Sequence, residues 1–398
     1  MNKGRIFKFL FPVVFVISFL LCLALTLLNR QANDSHMGVV TRILQTKALP
    51  TMRECGECYQ PKLFHYTAAV VIQGLGLAHA SVSTQWLVAQ LINFVAGMIT
   101  LAIVWIFITK LPFKNELLKL LAFALTALNL AIIGINAQAT NDTFAILFST
   151  LALYFTYLFC RKQKIGFFLL IILFTTLGIV SKAHAWVTAI AILIVLITRI
   201  FIGKAPIKKA VLFSTAFLVL VPALTIINPL SQYIVIYQIY GTPIPFNVSR
   251  PPLPYLAAYT PGCEPHNIYC RPGILSVKSG LFTFKYISLL EHPRNEGVSE
   301  GYPAFQTSFW TFMYAEAYSI HFPNFPVTWR TRGTTGFALT RGIFVLALLP
   351  TILILAGLAI EFYMLFKGIF RRDSTLAEST SHGLFAWTFV GYLSFVAL

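Results

Sequence analysis

Thirteen acidic side chains stand against thirty Lys and Arg in a chain of 398 residues, so the position of each carboxylate carries information. Asp142 follows Asn141 in a short link, 139–143, between two apolar runs, and Asp34 lies in Asn33-Asp34-Ser35-His36 just after another such run. Both are expected at one aqueous edge of a membrane. An ionisable group there is a functional-site hypothesis, because burying it unpaired is costly. Helix capping is the other reading, with Asn141 or Asp142 heading the helix that follows and Asp34 heading one that begins at Ser35; capping does not exclude catalysis.

Four cysteines add a second chemistry. Cys55 and Cys58 fall in one polar segment and Cys263 and Cys270 in another, the usage expected of disulfides in an oxidising compartment. Three pairings are open, and the expected role is to bridge the two segments. Zinc is the competing reading of C-x-x-C, although six residues rather than two separate the second pair. Cys22 and Cys160 sit inside apolar runs and read as small apolar residues.

The elements that must position these groups follow from composition. With 57% apolar and 11% charged residues and a mean hydropathy of +0.76, the chain is unlike a soluble globule, which carries about 25% charge. Disorder, coiled coil, collagen and a disulfide-stapled miniprotein are excluded by the same numbers. Apolar runs at 6–28, 87–108, 117–137, 144–160, 165–180, 186–201, 210–227 and 343–366 suffice for spanning helices, and an incomplete one starts at Gly383. The fold expected is an all-α polytopic membrane protein, a bundle of about nine transmembrane helices whose last member is incomplete, as if the chain were truncated.

Basic residues collect in every second link (Lys3, Arg5 and Lys8; Lys110, Lys114 and Lys119; Arg161, Lys162 and Lys164; Lys204, Lys208 and Lys209; Lys367, Arg371 and Arg372). By the positive-inside rule the N-terminus is cytoplasmic. Much of the net charge of +17 thus has a topological origin, and no nucleic-acid partner is needed to explain it. The organisation expected is a signal-anchor helix at 1–28, a first extracytoplasmic loop at 29–85, a helical bundle at 86–227, a large aromatic-rich extracytoplasmic loop at 228–341 and C-terminal helices at 342–398. The first span is too long for a cleaved signal peptide and reads as retained.

Against this frame several strings resemble those of GT-C glycosyltransferases, in the branch of protein mannosyltransferases and lipid A aminoarabinose transferases. Asn33-Asp34-Ser35-His36, then Ala48-Leu49-Pro50 and Tyr59-Gln60-Pro61-Lys62-Leu63-Phe64-His65-Tyr66, are similar to that family's first outer loop. There an acidic residue follows the first span and a His-Pro-Pro-Leu-Tyr-Tyr string precedes the next helices. Gln60 stands here for the histidine and Lys62 for the second proline. Asn141-Asp142-Thr143-Phe144-Ala145 resembles the acidic residue opening a later span, Ser181-Lys182-Ala183-His184 a basic residue at an outer helix end, and Phe309-Trp310 through Glu316 an aromatic and acidic patch. The resemblance covers roughly 1–201.

It implies transfer of a hexose or pentose from a polyprenyl phosphate to an extracytoplasmic lipid, glycan or protein, in the cell's inner or plasma membrane. The implied catalytic residues are Asp34, as base in an inverting displacement, and Asp142, which would orient the acceptor, assist the base or share a divalent metal with Asp34. No cofactor is required by the sequence. Arg53, Lys62, His65 and Lys182 are the implied phosphate holders, and His36, Asn141, His184 and Glu316 complete the substrate-binding set. The rival reading is a transporter or flippase for a glycolipid or small solute. Such proteins keep their ionisable sites near the midplane and often show repeated halves, and neither is visible here. No P-loop, G-x-G-x-x-G or H-E-x-x-H is present.

Overall fold

Inside a bilayer no water satisfies peptide groups, so each apolar run must close its own hydrogen bonds as a helix. The computed structural model describes residues 3–28, 36–51, 54–55, 57–111, 115–201, 206–240, 284–291, 309–318 and 334–371, and every regular element among them is helical. In chain order these are α1 (Lys3–Leu28), α2 (His36–Thr46), α3 (Leu63–Gly74), α4 (Val82–Lys110), α5 (Glu116–Ala127), α6 (Leu130–Asn136), α7 (Asp142–Lys162), α8 (Ile165–Ser181), α9 (Trp186–Phe201), α10 (Ile207–Ile227), α11 (Tyr233–Tyr240), α12 (Tyr286–Glu291), α13 (Phe309–Tyr318), α14 (Thr334–Leu346) and α15 (Leu348–Arg371). Single 3₁₀ turns, Ala183–Ala185 and Pro229–Ser231, precede α9 and α11.

Among the described residues five segments are long and apolar enough to cross a membrane: Phe9–Leu28, Val82–Lys110, Asp142–Lys162, Ile207–Ile227 and Ala338–Lys367. Their outward faces stay apolar, with Leu212 at 63% and Leu349 at 66% exposure, an arrangement suited to lipid rather than water. The protein is a multi-pass membrane protein. The span expected at 117–137 is broken into α5 and α6, bent by 51° where the Asn129 side chain caps α6 by accepting from the Ile132 amide at 3.1 Å. The spans expected at 165–180 and 186–201 are shorter apolar helices, and the one from Gly383 lies outside the described residues.

α7 and α8 form the central hairpin, turned by Gln163 in the left-handed region at φ 51°. α4 lies along α7, α1 packs on α4 and α5, and α10 packs on α8 and α9. One end of this bundle is cationic and aromatic: Lys110 Nζ meets the Tyr154 hydroxyl at 2.6 Å, and Arg161 donates to the Tyr157 hydroxyl at 3.1 Å. The opposite end holds the links 137–141 and 182–185.

Over that second end sit α2 and α3, inside the segment expected to be a loop. Met37, Val40, Ile43 and Leu44 of α2 recur at helical spacing and bury against Phe64, Ala68 and Ile72 of α3. Cys55 and Cys58 are bonded to each other, which corrects the expectation that they bridge to the second outer segment; Cys263 and Cys270 lie outside the described residues. Cys22 and Cys160 are buried, as their apolar surroundings suggested.

Candidate active site

The site is built where α7 begins. Asp142 is the first residue of that helix, so its carboxylate lies at the positive end of the helix dipole. Thr140 Oγ1 donates to Asp142 Oδ2 at 2.8 Å, and Lys182 Nζ donates to Asp142 Oδ1 at 2.6 Å. Lys182 is in extended backbone between the end of α8 and the following 3₁₀ turn, which aims it back across the α7–α8 hairpin. The two side chains keep 31% and 18% of their surface accessible, so this charge-assisted pair reaches a boundary. His184, two residues on, is exposed beside it.

Asn141 takes the N-cap position without capping. Its amide instead donates to Gln60 Oε1 at 2.5 Å and to the Ser181 carbonyl at 3.0 Å, joining three links that are distant in sequence. The capping reading therefore gives way to a cross-link at this residue.

Lys62 has no exposed surface. Its ammonium donates to the Cys58 carbonyl at 2.5 Å and the Gln60 carbonyl at 2.8 Å, while its own amide donates to the Leu230 carbonyl at 2.7 Å. Burial pushes its pKa down to about 7, although the Glu57 carboxylate pulls the other way. His65 is fully buried one turn into α3, with its Nε2 3.0 Å from Nδ1 of His36, also fully buried. One of the two nitrogens in that contact carries the shared proton. Burial first, then the neighbouring His36, Lys62 and Lys182, hold the His65 pKa well below the ordinary imidazole value.

The candidates thus divide. Asp142, Lys182 and His184 reach the surface, whereas His36, Lys62, His65 and Asn141 are interior and fix the loops around them. Lys62 and His65, expected to hold phosphate, and His36 and Asn141, expected to meet substrate, are thus all buried in this structure. The polar atoms of Lys62 and Asn141 turn to acceptors on Cys58, Gln60 and Ser181, and His36 and His65 meet each other. Asp34 and Arg53 lie outside the described residues. Glu316 belongs to α13, which docks on the α5–α6 break through Asn129 Nδ2 and the Ala317 carbonyl at 3.0 Å; its side chain is outside the described set.

Sequence reasoning passed over Gln60, Thr140 and Ser181. The signal was available for Gln60 and Thr140, polar residues set close to ionisable candidates. As for a metal, no group of three His, Cys, Asp or Glu is gathered among the described residues, and both Asp142 oxygens already have donors.

Residues 71–228 match the dolichyl-phosphate-mannose-protein mannosyltransferase family. The mannosyltransferase match spans less than half of the chain, and within it fall Asn141, Asp142, Lys182 and His184, while His36, Lys62 and His65 precede it. It agrees with the resemblance read from the motifs. No curated protein and no solved structure matches the chain.

Proposed function

We propose that the protein transfers one sugar from a polyprenyl phosphate to a hydroxyl of an extracytoplasmic lipid, glycan or protein, with inversion at the anomeric carbon. The observation that carries this reading is the accessible Asp142–Lys182 pair at the end of the bundle opposite its cationic belt, inside the mannosyltransferase-like segment. By the positive-inside rule that end faces away from the cytoplasm.

In the displacement the acceptor oxygen bonds to the anomeric carbon as the bond from that carbon to the phosphate oxygen breaks. The acceptor's proton goes to a carboxylate and the lipid phosphate departs with the electron pair. Asp34 takes the base role that the family resemblance assigns to it. Asp142 holds Lys182 and, through its accessible edge, orients the acceptor. Lys182 faces the negative charge that grows on the leaving phosphate, an electrostatic contribution that is largest in a site shielded from water. Exposed beside it, His184 contacts the donor's polar head.

The test is reconstitution in proteoliposomes with radiolabelled polyprenyl-phosphate sugars and membrane extract, comparing the native chain with Asp142→Asn and Asp34→Asn. Transfer by the native chain and a loss of about 10²-fold or more in each variant is expected. Undiminished transfer in the variants would remove the carboxylates from their roles, and no transfer with any donor would overturn the enzymatic reading.

A further inference from the structure

Two carboxamides stand inside the membrane helix α4 where lipid-spanning helices rarely carry them. Gln90 and Asn93 are three residues apart, hence on one face, and are 1% and 0% exposed. Gln90 Nε2 donates to the Ala137 carbonyl at 2.8 Å. Asn93 Nδ2 uses both its hydrogens, donating to the carbonyls of Gln138 and Thr140 at 2.6 Å each. All three acceptors lie in the five-residue link, 137–141, between α6 and α7. One turn further along α4, Gly97 lets Asn136 come so close that a Cβ there would stand 2.3 Å from Asn136 Cγ.

A buried amide is costly unless its hydrogen bonds are made, and a lipid-facing alternative offers none. What these bonds secure is the approach to Asp142. Thr140 is the joint: its carbonyl is held by Asn93, and its hydroxyl donates to the carboxylate that Lys182 grips from the other side. We infer that Asn93, supported by Gln90, is a positioning residue that fixes the Asp142 carboxylate from within the membrane by clamping the 137–141 link. The inference deepens the proposed transferase reading and rests on it for its catalytic consequence; the clamp itself does not.

Gln85 provides the control. It is a buried amide on the same helix, donating to the Ala78 carbonyl at 2.9 Å, but it closes the link before α4 and has no bond to the 137–140 stretch. Hydrogen–deuterium exchange on the full-length chain in nanodiscs would compare Asn93→Leu with Gln85→Leu. Exchange across 137–142 should quicken about tenfold or more in the first and stay unchanged in the second; equal behaviour of the two variants overturns the clamp.

Transfer from mannosyl undecaprenyl phosphate then reads the consequence. Asn93→Leu should lower kcat about tenfold or more with the donor KM within about twofold, as misplacement of a reacting group does, and Gln85→Leu should leave both unchanged. Combined with Asp142→Asn, Asn93→Leu should cost nothing further, because groups that act as one unit are not additive; a second, multiplied loss would overturn the positioning role. Absence of transfer in the native chain from this and every other polyprenyl-phosphate sugar tried would count against the enzymatic reading, and the exchange result would still decide the clamp.

Discussion

At the scale of single residues the pair Asp142 and Lys182 sets the expectation for function. If transfer runs as proposed, Lys182→Met removes the cation that faces the leaving phosphate and should lower kcat by about 10²-fold, measured in the proteoliposome assay, with a smaller change in donor KM. Lys62 sets the expectation for stability. Its pKa is about 7 when folded against an ordinary 10.5, so between those values the unfolded chain binds a proton that the folded chain has released. Stability therefore rises with pH through that window, and below about pH 7 the whole cost of burying the charge stands. His65, held neutral, acts in the same direction as pH falls below 6.5. Thermal midpoints in detergent should climb between pH 7 and 9 in the native chain, and Lys62→Met should flatten the climb. An unaltered slope in that variant would mean that Lys62 is not the group responsible.

At the scale of elements, close approach is the exposed weakness of the bundle. Gly97→Ala would drive a methyl into Asn136 and should destabilise the protein by about 1–3 kcal/mol, read as a fall in the thermal midpoint and as faster exchange in α6. Reducing the Cys55–Cys58 bond opens a very short loop and should cost about 2 kcal/mol, confined to the stretch that Lys62 ties down. The long helices α4, α7 and α10 were legible in the sequence because uninterrupted apolar runs of that length have one stable form in lipid, and the boundary drift at α4, 87 against Val82, reflects polar residues in its first turn. α2 and α3 went unread since 11 and 12 residues are too few to register as spans. The break at Asn129 was hidden by its apolar neighbours. Of the site, the pairing of residues 142 and 182 could be anticipated as shared sidedness, but the burial of Lys62, His36 and His65 could not, because it depends on which distant carbonyls fold over them. The Cys55–Cys58 bond was one of three open pairings, and spacing alone does not choose among them.

At the scale of the whole molecule, the separation of a cationic belt from an acid-bearing rim predicts orientation. A cysteine placed at Lys164 should react with an impermeant maleimide only after the membrane is opened, and one at Ser81 should react from outside; the reverse labelling would invert the topology. The two ends are also joined by helices shorter than the hydrocarbon layer, α8 and α9. α8 has 17 residues, about 25 Å of helix, against a hydrocarbon layer about 30 Å thick, and Lys182 stands at its tip. Mismatch of this size is relieved by thinning the adjacent leaflet or by drawing water and headgroups inward. The lipid's phosphate would then meet Lys182 several ångströms beneath the general surface, in a local dimple made by a short helix, and transfer should slow as the host bilayer is thickened with longer acyl chains.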